Sequence, residues 1–333
     1  MMKKTALLMA VFVSLVFGLL KEGSAAPYYE GKVLKIIVGH EAGAGYDLIA
    51  RLLGKHLPKH IPGKPTIIVE NMPGAQSMIA LNYVYRIVKP DGLTICSFDR
   101  GLPFAQLLNL DGVQFDLRKI GWIGSAASES MILALRTDLP YKTFQDLLKA
   151  KQPIPLAAGG AGTSDYQFST LLKEFAGLNA TIINYVSSAT EMLAIERKEV
   201  DGRAGSVTSL KPLIDRGVVR PLVRSRVAAP GFESLPVNED LTSDKTGKAI
   251  MAMLATADRI GRPYAAPPKT PADLLAILQE AFSKAIKDPE LQEEAKRRKV
   301  ALNYTKAEES LQVINYVLNQ PPEVAREFGK YIK

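Results

Sequence analysis

The chain has 333 residues, 47% of them hydrophobic, with a single cysteine and a formal net charge of +8. That is enough apolar material for a sizeable core, while the lone Cys96, far from the N-terminus, excludes both a disulfide framework and a lipoprotein anchor. Basic residues are mostly dispersed, without the clustered Lys/Arg and stacking aromatics that nucleic acid would need, so no nucleic-acid partner is expected.

Lys3 and Lys4 precede an uncharged run from Thr5 to Leu20, and Gly23-Ser24-Ala25 then supplies small residues of the kind signal peptidase accepts. Residues 1–25 therefore read as a signal peptide, cut after Ala25. The apolar run of 16 residues is short for a spanning helix, which needs roughly 20. A soluble periplasmic protein is expected, its charge reduced to +6 once Lys3, Lys4, Lys21 and Glu22 are removed. Roughly 305 mature residues suit two domains.

Leu34 to Val38 is a predicted strand, followed by a Gly-rich loop and a helix carrying Leu48, Ile49, Leu52, Leu53 and Leu57 until Pro58 and Pro62. Ile67 to Val69 is the next strand, Ser77 to Val88 a helix, and Leu93 to Cys96 a third strand after the turn Pro90-Asp91-Gly92. Such alternation predicts parallel strands with right-handed crossovers. A second series opens with a strand at Met131 to Leu135 and a helix capped by Thr143. Pro155 to Ala158 runs into a second Gly-rich loop and a helix from Tyr166 to Phe175. A strand at Thr181–Val186, a helix at Thr190–Arg197, a helix near Leu210–Asp215 and a strand at Val218–Val223 follow. Residues 225–247 read as loop, Met251 to Ala255 as a strand returning to the first unit, and Thr270-Pro271 as the start of a long helix. Lys296 to Lys299, beside Glu293 and Glu294, reads as a solvated helix face. The expected division is 26–125 with 251–333 as domain 1 and 126–250 as domain 2.

Two loops carry the chemistry: Ala42-Gly43-Ala44-Gly45-Tyr46-Asp47 and Gly159-Gly160-Ala161-Gly162-Thr163-Ser164-Asp165. Each follows a strand and opens a helix, so glycines allow close backbone approach and free N–H groups face an anion. Thr163 and Ser164 add hydroxyl donors. Nucleotide binding fails on spacing, since Leu48 stands where a third glycine is needed and loop two lacks a P-loop lysine. Helix-capping turns without a ligand are the competing reading. Asp47 sits four residues before Arg51 and either contacts ligand or caps the helix, with capping favoured.

Lys35 to Val38 with Gly43 to Asp47, Val69-Glu70-Asn71-Met72-Pro73-Gly74-Ala75, Lys89-Pro90-Asp91-Gly92 and Gly160-Ala161-Gly162-Thr163-Ser164 occur in an order and spacing that resembles the receptors of tripartite tricarboxylate transporters, also called Bug proteins. The resemblance covers essentially the whole mature chain. It implies an α/β, two-domain, type II periplasmic-binding-protein fold, a "Venus flytrap" with its ligand cleft between domains. The implied ligand is a small carboxylate (a di- or tricarboxylate, amino acid or aromatic acid), passed to one large and one small membrane subunit by a monomeric receptor. On this resemblance Gly162, Thr163 and Ser164 hold a carboxylate, and Gly43, Ala44, Gly45 and Asp47 reach it through water; Gly160, Ala161 and Asp165 of the same loop are further ligand-binding candidates. Asp165-Tyr166 stands where many relatives carry His. Tyr185 and Ser187, then Arg203 and Ser206, fall where this chain departs from the family and where selectivity is expected. Arg203 either meets a second carboxylate or is simply exposed, the latter favoured; Tyr46 and Phe98 either flank the ligand or pack.

An enzyme would need an activated group. His56 and His60 are four apart without a Glu between them, and read as solvated rather than as a metal pair. His40, near loop one, either touches ligand or is an ordinary loop residue, the latter favoured; Cys96 reads as buried, and no Gly-x-Ser-x-Gly elbow occurs. No catalytic residue, cofactor or metal is expected. A sensing role with a signalling partner is the alternative to transport, and a hydrolase the least favoured one.

Overall fold

A computed structural model describes residues 26–160, 163–298 and 300–331. The signal segment 1–25 and the site candidates Ala161 and Gly162 lie outside the described residues. Among those described, no helix is long and apolar enough to cross a membrane.

The first sheet contains β1 (Val33–Val38), β2 (Thr66–Asn71), β3 (Thr94–Ser97), β4 (Gly121–Ser125), β10 (Pro263–Ala266) and β11 (Thr305–Lys306), in the order β11-β4-β10-β3-β1-β2. Helices α1 (Gly45–His56) and α2 (Met78–Arg86) connect the parallel strands β1, β2 and β3. The short helix α3 (Leu102–Leu107) follows β3. The second sheet runs β7-β6-β8-β5-β9, with β5 (Met131–Arg136), β6 (Ile154–Ala158), β7 (Ala180–Asn184), β8 (Gly202–Ser206) and β9 (Val219–Arg224). Its helices are α4 (Phe144–Leu147), α5 (Ser164–Ala176), α6 (Ser188–Glu196) and α7 (Val207–Asp215). Thr143 and Ser187 each form a capping box, at the starts of α4 and α6.

The expected parallel strands are present in β1, β2 and β3 and in β6, β7 and β8, but they do not extend through either sheet. β10 runs antiparallel to β3 and β4, and β5 runs antiparallel to β8 and β9. The chain leaves the first sheet through the few residues between Ser125 and Met131, too few for the crossover that would keep direction. The outbound and inbound segments pair instead: Ala126 N–H donates to Arg262 O (2.9 Å) and Glu129 N–H to Asp258 O (2.8 Å).

Met251 to Ala255 is not a strand. It lies inside helix α8 (Lys245–Ala257), and the returning strand is β10. Asp244 caps α8 by accepting from Gly247 N–H at 2.7 Å, and the Met, Leu and Ala residues that follow are strong helix formers. This helix also shortens the expected loop at 225–247. Its buried Ile250, Met251 and Met253 pack with Phe104 of α3, Leu171 of α5, and Val317 and Phe328 near the C-terminus. The remaining helices are α9 (Ala272–Lys287), α10 (Pro289–Arg297), α11 (Ala307–Leu318) and α12 (Pro322–Phe328).

Candidate functional site

The carboxyl ends of β1 and β3 and the segment after β2 face those of β6, β7 and β8 across a cavity of 670 Å3. This is where open α/β sheets place ligands. Gly160, Thr163, Ser164, Asp165, Tyr185, Ser187, Arg203 and Ser206 all line it. Gly43, Ala44, Gly45 and Asp47 are not among its lining residues, although their neighbour Tyr46 is.

Loop one is held from within. The buried Asp47 carboxylate accepts from Gly43 N–H (2.8 Å), Arg51 Nε (2.9 Å) and Asn71 Nδ2 (2.9 Å). Burial alone would raise its pKa, but these hydrogen bonds outweigh it and hold the carboxyl below its usual range.

Loop two ends at the N-terminus of α5. Thr163 donates its hydroxyl to Gly160 O at 2.8 Å, so that proton is already taken within the loop. Asp165 accepts from Gly159 N–H (3.1 Å) and lies 3.3 Å from Arg203 Nη2. Ser164 is the hydroxyl that looks across the cavity, with Arg100 Nη2 at 3.4 Å. The serines farther along are committed to helix starts: Ser187 accepts from Thr190 N–H and Ser206 from Ser209 N–H.

Arg203 is not an exposed arginine. Only 4% of it is accessible, and it donates from Nε to Ala204 O (2.7 Å) and from Nη1 to Ser188 Oγ (2.7 Å). Its Nη1 also lies 2.5 Å from Glu191. Small residues on β8 leave room for the side chain to fold back, and Asp165 and Glu191 supply its counter-charges. Burial pushes the Glu191 carboxyl up to about 7 despite the pull of Arg203.

On the opposite wall Tyr46 is sandwiched. His40 stacks on it with centroids 3.9 Å apart, and the Arg262 guanidinium lies 4.3 Å from its centroid. Burial lowers the His40 pKa, leaving a neutral ring at pH 7. Phe98 is fully buried against Trp122 and is a packing residue.

Several cleft residues escaped the sequence reading. Arg100 Nε lies 3.3 Å from Asp258 and its Nη1 3.7 Å from Glu129, while Arg262 Nη2 lies 2.7 Å from Glu129. Burial raises Asp258 to about 7. Asp99 and Arg100 could have been found, because they directly follow a strand on the ligand side. Glu129, Asp258 and Arg262 sit on the crossing segments, where no local pattern marks them. Gln76 lies in a turn of unusual conformation. Ala75, Gln76 and Ser77 have φ of 45°, 52° and 72°, a left-handed run costing about 1–2 kcal/mol per residue.

The two histidines of α1 and its extension are not solvated as expected. His56 is buried with Nε2 2.9 Å from Glu294, and His60 Nε2 lies 2.9 Å from Asp288. The pattern of α1 could not reveal that α10 packs its acidic face there, which also takes Glu294 out of solvent. His56, Asp288 and Glu290 come within metal-ligand reach of one another, but Lys59 Nζ bridges the two carboxylates at 2.7 Å from each.

A two-sheet α/β protein with its cleft at the strand ends is built as a periplasmic binding protein. Residues 49–329 match the Tripartite tricarboxylate transporter family receptor, and the chain belongs to that family. A UPF0065 protein of Bordetella pertussis is 24% identical over 310 residues, covering 91% of this chain and 92% of that one. The structure of a TctC solute binding protein from Polaromonas matches with a TM-score of 0.74 at 20% identity, covering 91% and 99%. MatC from Rhodopseudomonas palustris, with bound malate, matches with a TM-score of 0.63 at 18% identity, covering 89% and 99%.

Proposed function

We propose that this chain is an exported receptor that captures a small carboxylate in the cleft and delivers it to membrane transporter subunits without chemical turnover. The observation that carries the reading is Ser164 at the start of α5, facing the Arg100 guanidinium 3.4 Å away on the opposite wall. A carboxylate seated beside this pair would accept from the helix N-terminus, the serine hydroxyl and the guanidinium at once. The malate held by a protein of the same fold supports this ligand class. Gly160, with Ala161 and Gly162, would complete the anchor; Tyr185, Ser187, Arg203 and Ser206 would shape the wall behind it. Asp165, Glu191, Glu129 and Asp258 lie beside arginines and fix the positions of those guanidinium groups in the cleft wall. The halves are 26–125 with 251–333 and 126–250, export follows from the leader at 1–25, and the working form is a monomer.

The test is a thermal-shift screen over mono-, di- and tricarboxylates, amino acids and aromatic acids. A ligand at a hundred times its Kd should add about 2.7 kcal/mol of stability. If sugars or cations alone raise the melting temperature, the carboxylate reading is wrong. Mass measurement of the periplasmic form checks cleavage after Ala25.

A further inference from the structure

Cleft charge and the turn at Gln76 bear on which carboxylate fits, given the receptor reading above. Among the described residues lining the cavity, five carboxylates (Asp99, Glu129, Asp165, Glu191, Asp258) face three guanidinium groups (Arg100, Arg203, Arg262). Arg203 is tied to Asp165 and Glu191. Arg100 and Arg262 are tied to Glu129 and Asp258. His40 adds no charge at pH 7, its pKa being lowered by burial. Even with two of the five acids protonated, the lining would be neutral. The helix N-terminus at Ser164 and the edge of Arg100 can take one carboxylate, but no uncommitted cation waits for a second.

The wall opposite Ser164 offers hydrogen-bond acceptors. Asp99 is partly open, with its second oxygen 3.6 Å from His40 Nε2 and 3.5 Å from Tyr46 Oη. Gln76 lines the same cavity and is exposed. Its backbone, at φ 52° and ψ 48°, is a conformation that glycine adopts freely and glutamine does not. The turn is fastened by Ser77, whose buried hydroxyl donates to Gly39 O at 3.0 Å. A strained non-glycine residue on a cleft wall is where backbone strain and function tend to coincide.

We infer that the ligand is a monocarboxylate whose far end is a hydrogen-bond donor (hydroxyl, primary amide or ammonium) rather than a second carboxylate, and that Gln76 with Asp99 reads that end. Gln76 is then a specificity residue of the cleft.

The test is calorimetric titration with two matched series. The four-carbon set is butanoate, succinate, 4-hydroxybutanoate, succinamate and 4-aminobutanoate; the six-carbon set has the same end groups. The donor-terminated acids should bind at least about tenfold tighter than the diacid and the plain acid of equal length. Gln76→Gly should raise the melting temperature by relieving the turn, yet erase most of that preference; Gln76→Asn, which keeps an amide and tolerates the left-handed region, should retain part of it. Succinate or adipate binding tightest would overturn the inference and leave the carboxylate reading standing. Gln76→Gly with an unchanged preference would remove Gln76 from the site. No binding by any member of either series would count against both readings.

Discussion

Arg100 Nη2 lies 3.4 Å from Ser164 Oγ, so the segment after β3 in the first sheet reaches the first residue of α5 in the second. Thr163, one residue earlier, already donates its hydroxyl to Gly160 O. The two neighbours should therefore differ. Ser164→Ala is expected to weaken binding of the tightest carboxylate found in the screen by about 1.5–3 kcal/mol, the worth of a hydrogen bond to a charged group. Thr163→Ala should cost clearly less. Calorimetric titration of both variants decides it, and equal losses would mean that Thr163 reorients on binding.

Asp47 distinguishes a cap from a ligand contact. Asp47→Ala frees the Gly43 N–H, the Arg51 guanidinium and the Asn71 amide at once. Unfolding by denaturant should show a loss of about 2–3 kcal/mol, since hydrogen bonds to a buried carboxylate are lost. Ligand affinity should stay within about threefold of the parent, since a change near RT is within ordinary mutational scatter. A large affinity loss with unchanged stability would put Asp47 back into the site.

The fold was legible where periodicity and punctuation agree, and the site where function coincides with a loop type. β1, β2 and β3 with α1 and α2 follow from apolar spacing, and Thr143 shows itself as a cap. α8 was misread because Met251 to Ala255 is a short apolar run, and such runs do not reveal their period. Arg203 looked like a surface residue because its partners, Asp165 and Glu191, are 38 and 12 positions away. Long-range pairing decides burial of a charge, and a single sequence does not display it. The same holds for Glu129, Asp258 and Arg262, which meet only after the chain has built the second sheet and returned.

Two buried acids give the unliganded protein a definite response to pH. Asp258 rises from 3.8 and Glu191 from 4.5, each to about 7, chiefly through burial. Folded molecules thus hold protons that unfolded ones release, and stability falls as pH rises from about 4 through about 7. Asp288 and Glu294, each lowered to about 2, act in the opposite sense and lose their contribution only as pH drops below about 4. The melting temperature should therefore be higher at about pH 5 than at about pH 8. Asp258→Asn should flatten that fall, because the substituted side chain no longer titrates. A melting temperature that rises steadily toward pH 8 would show that Asp258 stays ionised beside Arg100.

Gly247 sets how closely α8 approaches α5. A Cβ at this position would stand 2.3 Å from Phe175 Cγ and 2.7 Å from its Cβ, atoms near the root of that side chain that cannot swing away. Gly247→Ala gains about 1 kcal/mol of helix propensity. Overpacking costs about 1–3 kcal/mol and wins where the clash is this near the backbone. The net expectation is a destabilisation of about 1–2 kcal/mol, read as a lower denaturation midpoint at unchanged slope. Because α8 packs against both α3 and α5, the same substitution should also change the affinity for the carboxylate found in the screen. Phe175→Leu in the Gly247→Ala background should not restore stability, because leucine keeps the Cβ and Cγ that the added methyl meets. If Gly247→Ala alone proves stabilising, the helices are free to separate and the close approach is not required.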